Sequence, residues 1–354
     1  MEKTDIRSMT YEELEEALSA LSEKKFRAGQ IYDWLHLKQA ADFEEMTNLS
    51  KELKQRCRER FEIYEVTPIQ VQESQIDGTK KYLFGLYDHN MIESVLMRYE
   101  HGNSVCISSQ AGCRMGCRFC ASTIDGLVRS LTPSEMLGQI YQIMRETGER
   151  ISNVVVMGSG EPLDNYDNLL RFLHLLTDER GLHISQRNIT VSTCGLVPQI
   201  ELLAQEKLQI TLAISLHAAT DEKRKSLMPI ANRYSLSEVM EACRYYFTCT
   251  GRRLTFEYSL VGGVNDTDAD AAALTKLVRG LNCHINLIPV NPIKERDYIQ
   301  SERAVIEAFK NKLEKNHINV TIRREMGRDI DGACGQLRRR YMTGEPSERR
   351  EGLC

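Results

Sequence analysis

From about residue 100 onward, short apolar runs suited to strands alternate with helical patterns six times, and few folds accommodate that rhythm. The strand runs are Val105–Ser108, Val154–Met157, Ile189–Ser192, Ile210–Ser215, Leu254–Leu260 and Ile285–Pro289, with Val320–Arg323 a candidate seventh. Between them lie helical patterns over Thr132–Thr147, Tyr166–Leu176, Gln199–Gln205, Leu236–Phe247, Asp268–Arg279 and Ser301–Leu313. The first of these opens on a capping box, Thr132-Pro133-Ser134-Glu135. Strand followed by helix, repeated, predicts a parallel α/β sheet or a partial barrel, in which ligands meet the C-terminal ends of the strands. Polar groups gather at those ends: Ser108, Gly158-Ser159-Gly160-Glu161-Pro162, Ser192-Thr193, Ser215-Leu216-His217 and Asn291.

Upstream the texture differs. Thr10-x-x-Glu13 followed by Leu14, Leu18 and Leu21 reads as a capped amphipathic helix, and Phe26–Leu35 and Leu49–Phe61 suggest further short helices. Between Tyr64 and Tyr99 the pattern turns to alternation, with Asp77-Gly78 as a hairpin signal. The expected organisation is therefore a helical module over 1–63, antiparallel linking strands over 64–99, a partial (β/α)6 barrel over 100–324, and a C-terminal segment over 325–354.

The formal charge of −4 gives no global basic field, so any nucleic-acid contact must use local patches. No run of about 18 apolar residues occurs, and the polar start Met1–Tyr11 lacks a signal-peptide core, so a cytoplasmic protein without a membrane span is expected. Eleven cysteines in a reducing compartment read as metal ligands, catalytic thiols or small core residues rather than a disulfide framework.

Three of these cysteines stand apart. Cys113-Arg-Met-Gly-Cys117-Arg-Phe-Cys120 follows the first barrel strand, and three thiolates at that spacing can hold three irons of a [4Fe–4S] cube while leaving the fourth open. Zinc is the rival, but a structural zinc site needs four ligands. The nearest fourth candidate, Cys106, lies seven residues upstream of Cys113 inside a predicted strand. An open iron calls for a bidentate ligand, which the amino and carboxylate groups of S-adenosylmethionine supply. The cysteine spacing and the strand ends resemble the radical S-adenosylmethionine superfamily. By that resemblance the Gly158–Pro162 turn contacts the methionine amino group, although on its own such a turn can be only a loop.

A narrower resemblance rests on Cys106-Ile-Ser-Ser-Gln-Ala-Gly-Cys113 taken with Asp329-Ile-Asp-Gly-Ala-Cys334-Gly-Gln-Leu337, and on Phe26–Trp34 in the helical module. These are similar to the signatures of the RlmN/Cfr group of RNA adenine methyltransferases. The resemblance implies methylation of adenine carbon 2 in 23S rRNA and in tRNA, with two S-adenosylmethionine molecules used per turnover. Cys334 would take a methyl group from one of them; the second would be cleaved to a 5′-deoxyadenosyl radical that removes hydrogen from the S-methyl group. The resulting carbon radical adds to adenine, Glu93 accepts a proton, and Cys106 attacks the Cys334 sulfur, forming a transient disulfide that frees the RNA. The same resemblance assigns Gly160, Glu161, Ser192, Ser215, His217 and Asn291 to S-adenosylmethionine, and Cys113, Cys117 and Cys120 to the cluster. It also implies a flavodoxin- or ferredoxin-type electron donor and a monomer.

Each assignment has a plainer reading. Cys334 among glycines is otherwise a loop thiol, Cys106 a small buried residue, Glu93 an edge-strand charge, and the strand-end serines and Asn291 caps or turn formers. Carbon 8 methylation is the nearest alternative activity, though Cys120-Ala-Ser-Thr-Ile-Asp-Gly-Leu127 is more similar to the carbon 2 branch. A zinc-stabilised RNA-binding protein without catalysis is the alternative from another class. The basic clusters Lys24–Arg27, Lys51–Arg60, Arg338–Arg340 and Arg349–Arg350, with Phe26, Tyr32 and Trp34 beside the first two, are candidate phosphate contacts or solvated faces.

Overall fold

A computed structural model describes residues 3–291, 297–330 and 335–344. The N-terminal module holds β1 (Thr4–Asp5), α1 (Tyr11–Ser19), α2 (Phe26–His36), α3 (Lys51–Arg60) and β2 (Phe61–Glu62), with β1 and β2 paired in parallel. The expected capping box is present, Thr10 and Glu13 each bonding the other's backbone N–H, and Ser50 caps α3. The apolar stripe of these helices, including Leu14, Ile31 and Leu35, is fully buried. Tyr32 ties the module to the body by donating to Asp178 at 2.8 Å.

The body is built on one ten-stranded sheet. Its antiparallel strands are β3 (Thr67–Glu73), β4 (Lys80–Gly85) and β5 (Met91–Tyr99), which run on into β6 (Gly102–Cys106). A short antiparallel hairpin follows, β7 (Gln110–Gly112) with β8 (Leu127–Ser130). The parallel strands then alternate with helices: α4 (Pro133–Thr147), β9 (Ile151–Val156), α5 (Tyr166–Thr177), β10 (Ile189–Thr193), α6 (Val197–Gln205) and β11 (Thr211–Ser215). Next come α7 (Asp221–Leu227), α8 (Leu236–Thr250), β12 (Leu254–Leu260), α9 (Asp268–Leu277), β13 (Cys283–Pro289), α10 (Arg303–Lys315) and β14 (Asn319–Ile322), and α11 (Gln336–Thr343) closes the described chain. The strand order is β14-β13-β12-β11-β10-β9-β6-β5-β4-β3.

The six expected barrel strands all form, and β14 pairs with β13 in parallel, so the candidate seventh strand joins the barrel. The linking strands are continuous with the barrel sheet, because β5 pairs with β6 along five residues of each strand. The first barrel strand ends at Cys106 rather than Ser108; there the chain turns away and enters the β7–β8 hairpin. Along β12 the outward residues Phe256 and Tyr258 are fully buried, and Tyr258 packs against Phe309 of α10 at a ring separation of 5.4 Å. The alternate residue Glu257 faces into the barrel, where Asn286 of β13 donates to it at 2.9 Å.

Candidate active site

The β7–β8 hairpin is the collar of the cysteine loop. Its neck requires glycine: Gly112 has φ +82°, and a Cβ there would meet the Gly126 carbonyl oxygen at 2.0 Å. Cys113 donates its backbone N–H to that same carbonyl at 2.9 Å, closing the loop at its base. Cys120 N–H returns to the Cys117 carbonyl, and Thr123 Oγ1 donates to the carbonyls of both Cys117 and Cys120. Burial pushes the Cys113 thiol up to about 12 and the Cys117 and Cys120 thiols above their usual range; mutual repulsion of the thiolates adds to the shift at Cys113 and Cys117. Thiols in that condition keep their protons in water and release them when a metal cation takes their place.

The turn after β9 is interlocked with this loop. A Cβ on Gly158 would meet the Ile107 carbonyl oxygen at 2.6 Å, and one on Gly160 (φ +108°) would meet Gln110 Cβ at the same distance. Ser159 accepts from the N–H groups of Ser109 and Gln110, and Glu161 N–H donates to Gln110 Oε1. Glu161 is buried, and its carboxylate accepts from Cys194 N–H at 2.7 Å and Leu163 N–H at 3.1 Å. It therefore caps the short helical turn Pro162–Asn165. Desolvation raises its proton affinity, and its charge faces Cys113 and Cys117. Ser109 Oγ and Ser159 Oγ at this turn are buried without a partner, polar atoms for which a ligand would supply one.

The other strand-end residues line one rim. Ser192 and Ser215, on neighbouring strands β10 and β11, place their hydroxyls 3.4 Å apart. His217 adopts φ +56° and its Nδ1 accepts from Ser259 N–H at 2.9 Å, so the ring carries its proton on Nε2. Burial, with Arg224 second, lowers its pKa to about 3 and keeps the ring neutral. Its ring makes an edge-to-face contact with Phe119 of the cysteine loop at a centroid separation of 4.7 Å. Asn265 holds this corner by donating to the His217 and Ser259 carbonyls. Arg224 of α7 is fully buried and donates to the Cys194, Leu216 and Tyr234 carbonyls behind the cysteine loop. Neither Asn265 nor Arg224 belongs to a motif with a known spacing, and their polarity within apolar surroundings was the available signal.

A cavity of about 870 Å³ opens beside the loop, large enough for a cofactor with a base. Glu93, Cys106, Cys120, Gly158 and Asn291 all line it. Glu93 is not an edge-strand charge, because β5 lies between β4 and β6 and the side chain is buried. Its carboxylate pairs with buried Lys81 at 2.8 Å and caps α11, accepting the N–H groups of Gly335 and Arg338 at 2.6 Å each. Burial pushes the Cys106 thiol up, opposed by the charges of Arg323 and Lys81. Cys334 lies outside the described residues. Its flanks do not: Asp329 accepts from Ser74 Oγ and Gln75 N–H on the β3–β4 hairpin, and a Cβ on Gly335 would meet Ser122 N at 2.8 Å.

Of the basic clusters, that on α3 is largely engaged within the module: Lys54 and Arg58 pair with Glu44, and Arg56 with Glu23. Lys25 pairs with Glu15, and Arg349–Arg350 lie outside the described residues. Four arginines not anticipated as a group, Arg303, Arg323, Arg324 and Arg328, stand around the cavity instead. Arg303 comes from α10, and Arg323, Arg324 and Arg328 from the segment after β14, so they form no single basic run in the sequence. Among the described residues no three His, Cys, Asp or Glu side chains close on a single-ion position. A cube that takes one thiolate per iron does not require them to.

Seven parallel strands carrying a three-cysteine loop on the first, with a polar rim at their C-terminal ends, define a radical S-adenosylmethionine enzyme; the Radical SAM superfamily model matches residues 107–275. Residues 4–63 match the ribosomal RNA large subunit methyltransferase N-terminal domain. The chain is 68% identical over 96% of its length to a probable dual-specificity RNA methyltransferase RlmN of Lachnospira eligens, covering 97% of that protein. It is 61% identical to a like-named protein of Lachnoclostridium phytofermentans, covering 96% of each chain. The crystal structure of a radical SAM methyltransferase from Sphaerobacter thermophilus superposes with a TM-score of 0.90 at 43% identity, covering 94% of this chain and 98% of that one. The chain belongs to the RlmN family of radical S-adenosylmethionine RNA methyltransferases. Membership of the superfamily implies a [4Fe–4S] cluster and S-adenosylmethionine. Among the described residues no helix is long and apolar enough to cross a membrane.

Proposed function

We propose that this enzyme methylates carbon 2 of an adenine in 23S rRNA and in tRNA, with Cys334 as the methyl carrier and two S-adenosylmethionine molecules used per turnover. The observation that carries this reading is the single cavity in which Glu93, Cys106 and Cys120 meet. Adenine carbon 2 is an electron-poor amidine carbon and does not attack a methyl sulfonium directly. When bound, the cluster and S-adenosylmethionine supply a carbon-centred radical that removes this obstacle. Cys113, Cys117 and Cys120 hold three irons. Gly160, Glu161, Ser192, Ser215, His217 and Asn291 bind S-adenosylmethionine, the serines with free hydroxyl capacity and His217 with its Nε2–H. Cys334 carries the methyl carbon to the base as a radical, the adduct would return one electron to the oxidised cluster, and Glu93 accepts the proton that leaves carbon 2. Cys106 then attacks the Cys334 sulfur, the sulfur–methylene bond breaks, and its electron pair passes to the adenine-bound carbon, which takes up a proton to become methyl. The cavity arginines Arg303, Arg323, Arg324 and Arg328 suit the phosphates around an extruded base. A flavodoxin- or ferredoxin-type protein supplies electrons to what we read as a cytoplasmic monomer.

Anaerobic purification followed by iron and sulfide analysis tests the cluster: a brown, oxygen-sensitive protein with about four irons is expected, and a colourless protein with about one zinc overturns it. In that preparation Cys334→Ala keeps the cluster and loses methyl transfer to RNA; retained transfer removes Cys334 from the carrier role.

A further inference from the structure

Glu93 is more tightly held than a proton acceptor needs to be, and the holding has a direction. Oε2 receives two donors, Lys81 Nζ at 2.8 Å and Gly335 N–H at 2.6 Å, while Oε1 receives one, Arg338 N–H at 2.6 Å. A carboxylate offers about four lone-pair sites. Among the described residues three are used, and the remaining one is on Oε1. The side chains of Lys81 and Glu93 are 1% and 2% exposed. Strand register explains why Lys81 is available. It stands opposite Val95, and Val95 stands opposite Cys106, so the three form one row across β4, β5 and β6, with Glu93 two residues along β5 on the same face. Lys81, Glu93, Val95 and Cys106 all line the cavity.

We propose that Lys81 is a positioning residue for the reaction: by occupying Oε2 and supplying the buried counter-charge, it turns Oε1 of Glu93 toward the adenine so that this oxygen accepts the carbon 2 proton. The inference rests on the function proposed above. In the step concerned, once the unpaired electron of the adduct has passed back to the oxidised cluster, the carbon 2–hydrogen bond breaks, its electron pair restores the aromatic ring, and the proton moves to Oε1. The peptide N–H groups of α11 alone leave the carboxylate free to rock about two bonds to one helix end; the ammonium is the third point that fixes its plane.

The test uses full-length, cluster-loaded protein with Lys81→Met, Lys81→Arg, Glu93→Gln and the Lys81→Met/Glu93→Gln double variant. Two readouts are taken by mass spectrometry: methyl on Cys334 and methyl on RNA. Lys81→Met is expected to methylate Cys334 like the parent and to slow RNA methylation about 100-fold; Lys81→Arg is expected to restore most of the rate. In the Glu93→Gln background, removing Lys81 is expected to change RNA methylation by less than about threefold, because the lysine acts through the carboxylate. The neutral double variant leaves no buried charge unpaired, so this comparison holds even where Lys81→Met alone folds badly. RNA methylation by Lys81→Met within about twofold of the parent, an equal fall in both readouts, or losses that multiply in the double variant would each overturn the proposal. Absence of methyl on Cys334 in the parent enzyme would instead overturn the proposed function, which keeps the two failures apart.

Discussion

At the scale of single residues, the turn after β9 joins ligand chemistry to backbone packing. Gly158-Ser159-Gly160-Glu161-Pro162 suggested backbone close to a ligand and a carboxylate awaiting an ammonium. In the structure the close approach is to Ile107 and Gln110, and the carboxylate also caps a helical turn. Gly160→Ala is therefore expected to cost about 2–3 kcal/mol through left-handed strain and a backbone clash, and to lower the iron retained per chain. Thermal melts and iron analysis read both. His36 gives a residue-scale prediction away from the site. It is fully buried, hydrogen-bonded to Tyr141 at 2.8 Å, and burial lowers its pKa to about 3. The unfolded chain binds the proton first, so stability from this group is present above the unfolded pKa near 6.5 and is lost as pH falls toward 3. Urea unfolding at pH 6.5 and pH 5 should show the parent losing about 2 kcal/mol more than His36→Phe; equal losses would contradict a neutral buried ring.

At the scale of elements, the helices that announce themselves do so by their ends. The capping boxes at Thr10 and Thr132 are both formed, and α4 starts at Pro133 as its sequence requires. Thr132→Ala should destabilise by about 1 kcal/mol, measured as a shift in the denaturation midpoint. Four elements were illegible for physical reasons. The strands β7 and β8 are three and four residues long, too short for a period of two to register. The run Asp221–Leu227 of α7 is charged along most of its length, and its one buried cation, Arg224, breaks the apolar stripe. The start of α11 is fixed by a carboxylate 242 positions earlier, since Gly335 itself offers no side-chain cap. Removing that carboxylate with Glu93→Ala should raise hydrogen exchange over residues 336–343 while α4 stays protected. Unchanged protection of α11 would show that other contacts carry it.

At the scale of the whole molecule, the six-fold strand–helix alternation was sufficient to read the barrel, because each crossover connects neighbouring parallel strands and no long-range choice intervenes. What alternation could not reveal was the return of the chain. The C-terminal segment crosses back to the antiparallel strands, where Asp329 meets Ser74 and Gly335 meets Glu93, contacts more than 240 positions apart in sequence. These contacts put the residues on either side of Cys334 near the wall that holds Cys106 and Glu93, which spacing alone could not show. The arginines around the cavity are likewise gathered from α10 and from the segment that follows β14. Whether this assembly places a methyl-derived carbon on adenine carbon 2 is read by incubating the cluster-loaded enzyme with 23S rRNA, a reductant and methyl-labelled S-adenosylmethionine, then analysing the digested nucleosides by mass spectrometry. Labelled 2-methyladenosine is expected; labelled 8-methyladenosine, or no labelled adenosine from an enzyme that has consumed S-adenosylmethionine, rules out methylation at carbon 2.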